Sequence, residues 1–270
     1  MSSTESISAA FVAARREGRA LDAFPGDVPT TPADAYAVQH ASIRSWNRPV
    51  AGFKVGGIAP EFADRFPGRR LAGPVFADMV QTVEDGGTVD VPVFDGGFAA
   101  YEAEYIMVLD KLDELSVPIE TSAQAIPFVR ALHIGAEIAS SPLASLNDLG
   151  PGSIISDFGN QAGVIIGPQI GLGHIAQLPD IEVSLSIDGA EIGRASAAPA
   201  EGGPLDALRF LLNHLQTLPD DIALPDRLLL SSGAITGVHK AAPGTTSTIT
   251  FGDHGHFTVR MTAATSETFA

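Results

Sequence analysis

Tyr101-Glu102-Ala103-Glu104-Tyr105 runs straight into Ile106-Met107-Val108-Leu109, so two glutamates sit two residues apart in a strand-like stretch. Side chains alternate along a strand, which points Glu102 and Glu104 to one face and Tyr101, Ala103 and Tyr105 to the other. Like charges held this close are costly unless a cation lies between them, one keeps its proton, or water screens both. A hard divalent ion relieves the repulsion best. An exposed polar face on an edge strand is the alternative reading of the same spacing. Further along, Glu137 is the lone acid in Ala131-Leu132-His133-Ile134-Gly135-Ala136-Glu137-Ile138-Ala139, and an isolated carboxylate in an apolar stretch needs a partner. Joined to the pair, it would complete an oxygen site with room left for water and a bidentate ligand, the coordination habit of magnesium or manganese.

Two further charges stand among apolar neighbours. Lys54 lies in Gly52-Phe53-Lys54-Val55-Gly56-Gly57, where the glycines let backbone approach a ligand and a partly desolvated ammonium could bind a carboxylate or exchange protons. Burial is expected to lower its pKa. Asp78, in Gly73-Pro74-Val75-Phe76-Ala77-Asp78-Met79, is a similar lone charge. A surface position is the plain alternative for both.

The elements that must carry these residues follow from periodicity. Ile7, Phe11 and Ala14 at helical spacing, with Gly18 as a stop, predict a helix from Ser6 to Gly18. Thr31 as cap, Pro32 in the first turn and Asp34 at the positive end of the dipole predict a second helix ending near Trp46. After Pro49 the texture changes to short β-like runs punctuated by glycine and proline, with helical interruptions expected near Ser122–Ile134, Ser141–Asn147 and Pro204–Gln216. The resulting division is a helical N-terminal portion, 1–75, packed as one unit with a sheet-rich body, 76–270.

Composition narrows the function. A formal charge of −16 over 270 residues repels phosphate backbones and anionic lipid, so neither nucleic acid nor a membrane is expected as a partner. Cysteine is absent, which removes thiolate metal sites, disulfides and a cysteine nucleophile. The N-terminus lacks a basic start followed by an apolar run, so no signal peptide is expected and the location expected is cytoplasmic. Gly171-Leu172-Gly173-His174-Ile175-Ala176 fits a dinucleotide fingerprint, but Pro179 follows too soon for the required helix. Asp253-His254-Gly255-His256 reads as a hairpin turn, and His133 as a packed or supporting residue.

Taken in order, these segments resemble the 2-keto-4-pentenoate hydratase and 2-oxo acid decarboxylase group of the fumarylacetoacetate hydrolase superfamily. Ala35-Tyr36-Ala37-Val38-Gln39 resembles its AYxxQ helix, and Gly52–Gly56 its GYKVG segment. Asp78-Met79 resembles the acid closing the next strand. Glu102-Ala103-Glu104 resembles its ExE pair, and Glu137 its third ligand position. Ser232-Gly233-Ala234, Pro243-Gly244 and Phe251-Gly252 resemble its TGA, PGD and FxxLG pattern. The resemblance spans residue 30 to the end. It implies an α+β fold, a mixed β-roll with a helical N-terminal portion, assembled as a homo-oligomer. It implies Mg2+ or Mn2+ on Glu102, Glu104 and Glu137, with Lys54 and Asp78 as the acid-base groups.

The activity implied is a metal-dependent hydro-lyase acting on a small 2-oxo acid, adding water to a 2-hydroxy-2,4-dienoate to give a 4-hydroxy-2-oxo acid. Decarboxylation, acylpyruvate carbon-carbon hydrolysis and non-catalytic ligand binding stand as alternatives on the same scaffold. Two departures concern substrate contacts: Asn160-Gln161-Ala162 stands where Asn-Ala-Ser is common, and Ser140-Ser141-Pro142 where Asp-Ser-Arg is common.

Overall fold

The computed structural model describes residues 2–198 and 202–268. Two helices open the chain, α1 (Ser3–Glu17) and α2 (Pro32–Trp46). Ser2 and Glu5 close α1 with a capping box and Gly18 ends it in the left-handed region at φ 62°. Thr31 caps α2 through the Asp34 amide, with Pro32 in the first turn. Both helices thus begin and end where their sequence signals predict, within a turn.

Strands β1 (Val50–Gly57), β2 (Arg70–Phe76), β3 (Val80–Thr82), β4 (Thr88–Val93) and β5 (Phe98–Leu109) follow, then the short helix α3 (Ser122–Ala125) and β6 (Val129–Ser141). The rest of the chain supplies α4 (Pro151–Ser156), β7 (Gln161–Ile170), β8 (Glu182–Ile187), β9 (Ala190–Ser196), α5 (Pro204–Leu215), β10 (Leu228–Ser231), β11 (His239–Lys240), β12 (Thr246–Phe251) and β13 (His256–Ala263). They form two mixed sheets. One has the order β2-β1-β10-β5-β6-β7-β3 with β11 beside β5, and the other β4-β13-β12-β8-β9. Tyr105 packs on Phe251 between the two sheets, and one hydrophobic cluster runs from Trp46 and Phe53 through Tyr101 to Phe257. This α+β arrangement of mixed sheets with few helices agrees with the fold class expected. Residue 75 falls inside β2, whose partner β1 belongs to the same sheet as β5.

Two of the expected helical interruptions are corrected. Residues 122–134 give one α-helical turn and a 3-10 turn, Ile126–Phe128, that contains Pro127, before the run from Val129 pairs with β5 along its whole length. Residues 141–147 end β6 and enter turns that lay Leu143 and Leu146 against Ile7 and Phe11 of α1. The helix forms later, once Gly150 at φ 90° admits Pro151 as its first residue. Gly171–Ala176 makes a single 3-10 turn, Leu172–His174, and no dinucleotide-type helix. Asp253–His256 joins β12 to β13 as a hairpin. Among the described residues no helix is long and apolar enough to cross a membrane.

Candidate metal centre

The antiparallel pairing of β5 with β6 places Glu102 directly opposite Glu137, and Glu104 opposite Gly135. Strand alternation keeps Glu102 and Glu104 on one face, so the three carboxylates converge: one oxygen from each lies within 4.8 Å of the others. All three side chains are buried, with Glu104 and Glu137 at 0% exposure. Gly135 is required opposite Glu104, because a Cβ there would stand 2.4 Å from Ile106 Cγ1 and 2.5 Å from the Ile165 carbonyl. An edge strand with a wetted polar face, the other reading of the ExE spacing, is thereby excluded; β5 lies mid-sheet between β10 and β6.

Lys54 reaches the same point from β1. Its Nζ is 3.1 Å from Glu137 Oε2, and it donates a hydrogen bond of 3.1 Å to Asn160 Oδ1. The glutamate contact is an ion pair whose geometry is not that of a directed hydrogen bond. Glu104 is held on its other side by Ser231 Oγ at 2.5 Å and by the Gly233 amide at 2.9 Å, both donating to Oε2. Ser231 ends β10, level with Lys54 on β1 and Ile106 on β5. The Ser232-Gly233-Ala234 motif is therefore a backbone clamp on Glu104, with Gly233 at φ 99° turning its amide inward.

Burial drives the electrostatics. It pushes Glu104 up to about 7, with the Glu102 charge adding to the rise and the Ser231 bond opposing it. Burial also lifts Glu137 well above the carboxylate range, and Glu102 in the same direction, against the pull of Lys54. Lys54 does not follow its expectation. Desolvation alone would lower its pKa, but Glu137, Glu102 and Glu104 together outweigh it and hold the group above its ordinary value. In this state Lys54 is an ammonium.

These residues fit a divalent cation. One ammonium cannot neutralise three carboxylates, and Glu104 Oε1 and Glu137 Oε1 are buried without any hydrogen-bond donor. Unpaired buried carboxylate oxygens are costly. An all-oxygen set without histidine or cysteine suits magnesium or manganese.

Asp78 is the residue that the structure does not bring to this cluster. Lys54 pairs with Gly73, so Asp78 lies five residues further along the chain, roughly 15 Å if extended. There the chain leaves β2 in a single 3-10 turn, and Asp78, about a third exposed, forms an ion pair with Arg48. Ala162 lines the same shallow hollow as Asp78 and not the carboxylate cluster. His133 bonds the Gly167 carbonyl and plays a supporting part in the strand pairing.

Asn160 takes the place beside Lys54 that no isolated motif revealed. It closes a rare run of left-handed residues, Phe158 at φ 53°, Gly159 at 67° and Asn160 at 60°. Non-glycine residues there cost about 1–2 kcal/mol each. The turn lies backbone to backbone on β2: a Cβ at Gly73 would meet the Phe158 carbonyl at 2.2 Å, and one at Gly159 would meet Gly73 Cα at 2.9 Å and Lys54 Cδ at 3.2 Å. Behind it, Asp157 forms a fully buried pair with Arg15 of α1, whose guanidinium also donates to the carbonyls of Ser140 and Gln161. Gly159 and Asn160 tolerate αL locally, but Phe158 does not, so the sequence carried only part of the signal for this turn.

No protein-family model and no curated protein matches the sequence. Solved structures do match the fold. The 4-oxalocrotonate decarboxylase from Pseudomonas putida G7, complexed with magnesium and adipate, superposes with a TM-score of 0.75 at 20% identity, covering 96% of this chain and 97% of that one. Fumarylpyruvate hydrolase from Pseudomonas aeruginosa, in complex with Mn2+ and pyruvate, gives 0.55 at 17% identity over 78% of this chain and 89% of its own. The 2-hydroxyhepta-2,4-diene-1,7-dioate isomerase from Mycobacterium marinum gives 0.52 at 17% identity over 80% and 76%. The chain therefore has the fold of these enzymes.

Proposed function

We propose that this chain is a magnesium- or manganese-dependent lyase of the 2-keto-4-pentenoate hydratase group, a fumarylacetoacetate hydrolase-type β-roll with a helical N-terminal portion. Its reaction adds water to a 2-hydroxy-2,4-dienoate to give a 4-hydroxy-2-oxo acid. The carrying observation is the buried convergence of Glu102, Glu104 and Glu137 with Lys54 alongside. A divalent cation held by the three glutamates would stabilise negative charge on the C2 oxygen of a 2-oxo acid.

The chain's own groups supply the rest. Lys54 carries the proton, and Asn160 fixes the direction of its ammonium. Delivery of that proton to C5 of the dienol, with loss of the 2-hydroxyl proton to restore the ammonium, leaves a 2-oxo-3-enoate. Water then adds hydroxyl to C4 and hydrogen to C3. Ser231 and Gly233 keep Glu104 in place throughout. Ile106, on the glutamate face of β5, packs with Val75 and Val164 and makes that face apolar beyond Glu104.

Decarboxylation is the second reading, supported by the near full-length match to the Pseudomonas putida decarboxylase fold. A dienol assay separates the two. Loss of 2-hydroxypenta-2,4-dienoate absorbance with magnesium, yielding 4-hydroxy-2-oxopentanoate, supports hydration; carbon dioxide release from a 2-oxo-enedioate without water addition moves the assignment to decarboxylation. Glu104→Gln is expected to abolish the magnesium-dependent rate with an unchanged circular dichroism spectrum. Full activity in that variant refutes the metal centre.

A further inference from the structure

Val164 stands opposite Glu137 and packs with Ile106, so it lies on the glutamate face of the large sheet. Three residues earlier on β7, strict alternation would turn Gln161 to the other face. The register instead slips between Ile138 and Ala139, where β7 carries one extra residue, and Gln161 comes to lie opposite Ala139. Ala139 is two residues from Glu137, and directly opposed residues share a face, so Gln161 belongs to the glutamate face. Its neighbour Gly163 looks the other way: a Cβ there would stand 2.9 Å from Val91 Cγ1, which belongs to the second sheet. Bulges beside functional sites re-aim side chains in this manner. The row next to Glu102, Glu137 and Val164 is thus Ala100, Ala139 and Gln161, two methyl groups and one amide.

Gln161 is fully buried, and among the described residues neither its Oε1 nor its Nε2 has a hydrogen-bond partner. Its backbone is tied down, the carbonyl accepting from Arg15. A side-chain amide offers two donors and an acceptor. Burying all of them unpaired is costly, and an apolar side chain of the same shape would cost less. Diagonal neighbours across antiparallel strands lie roughly 7–8 Å apart, within reach of a long side chain. Glu137 is the diagonal neighbour of Gln161, and its Oε1 and Oε2 are also buried without a hydrogen-bond donor. Glu104 has Ser231 and the Gly233 amide to hold it, whereas Glu137 has the Lys54 ion pair on Oε2. The donor that Glu137 lacks is the one that Gln161 leaves unused.

We propose that Gln161 is the positioning residue of Glu137: with a divalent cation in the site, its Nε2 donates to Glu137 Oε1 and fixes the orientation of that carboxylate. This inference rests on the functional reading above and deepens it. Hydrogen bonds to a metal-ligating carboxylate hold it in line, and their removal costs about 10–100-fold in metal affinity. The amide Oε1 is left to accept from water, which magnesium keeps in its coordination shell. Gln161 and Asn160 then serve the cluster as consecutive residues, one holding Glu137 and the other Lys54.

Titration calorimetry with magnesium chloride and thermal scans of the metal-free chain test it, on the full-length protein, Gln161→Met and Gln161→Ala. Methionine matches the length of glutamine without its amide donors. In Gln161→Met magnesium affinity should fall about tenfold or more. The melting temperature without magnesium should hold or rise, because an unpaired amide has left the interior. Gln161→Ala should show the same loss of affinity, with a lower melting temperature from the cavity it leaves. A glutamine that only fills space predicts a different pattern, and undiminished magnesium affinity in either variant overturns the proposal. So does a loss of affinity in Gln161→Met that comes with a lower metal-free melting temperature. If the unaltered protein binds neither magnesium nor manganese, the metal-centred reading itself falls; binding that Gln161→Met leaves intact removes only the role of Gln161.

Discussion

Glu104 shows how much a single residue's surroundings decide. Burial raises its pKa to about 7, and Glu102 adds to the rise. Below that pH the Glu104 carboxyl keeps its proton in the folded, cation-free chain, and a divalent ion must displace it; above it, Glu104 is ionised. Each pH unit below about 7 should therefore weaken magnesium binding by about tenfold per proton displaced. The rise in melting temperature caused by added magnesium is expected to be small near pH 5.5 and to grow toward pH 8, then level off. Thermal scans with and without magnesium across that range check it. In Glu104→Gln the growth should be lost or strongly reduced; a magnesium effect independent of pH in the unaltered chain would show that these carboxylates are not its ligands. The two glutamates at i and i+2 were legible in the sequence because strand alternation is a local rule. Glu137 was legible only as a charge lacking a partner, and its meeting with Glu102 is a product of β5–β6 register. Asn160 was not legible as a neighbour of Lys54, since three consecutive left-handed residues arise from packing on Gly73 and not from local preference.

At the scale of elements, the caps of α1 and α2 and the bounds of α5 could be read from sequence, since each rests on short-range chemistry. The segment after Ser122 could not, because strand pairing with β5 overrode its helix-forming residues. Helix α5 illustrates a consequence invisible before packing. His214 is stacked on Phe210, lies against Tyr36 of α2 and meets the edge of Phe53 of β1. Its Nε2 is buried without a partner. Burial, with a smaller contribution from His40, lowers its pKa to about 4. An unfolded chain binds this proton near the ordinary histidine value of about 6.5, whereas the folded chain refuses it until about 4. The neutral ring's contribution is complete above about pH 6.5 and drains away as pH falls toward 4, amounting to about 3 kcal/mol. Urea titrations at pH 7 and pH 4.5 should show this acid-induced loss, and His214→Phe should reduce it by an amount of that order. An unchanged pH dependence in the variant would mean that α5 does not bury a neutral histidine.

Across the whole molecule, the helices and the sheet are bound by a charge that the sequence disguised. Arg15 and Arg16 both lie in the last turn of α1, where a basic side chain favours the helix dipole. Arg16 fits that description, but Arg15 is fully buried, sandwiched near the rings of Phe94 and Phe158 and paired with Asp157. Through Asp157 it sits directly behind the left-handed turn that delivers Asn160 to Lys54, so anchoring α1 and positioning Asn160 are one structural task. Arg15→Met would leave the Asp157 carboxylate buried and uncompensated, at a cost of about 3–5 kcal/mol. The denaturant midpoint should fall accordingly with an unchanged slope. Replacing both partners, Arg15→Met with Asp157→Leu, should recover much of the loss, because the orphaned charge and not the missing attraction dominates the penalty. The single tryptophan provides an internal probe, as Trp46 packs on Phe76 of β2 and on Phe158 of the turn. If helices and sheet form one cooperative unit, Trp46 fluorescence and far-ultraviolet circular dichroism will report the same transition in both variants. A loss under about 1 kcal/mol in Arg15→Met, or separate transitions by the two probes in the unaltered chain, would show that α1 is only loosely attached and that the turn bearing Asn160 holds its strained shape by other means.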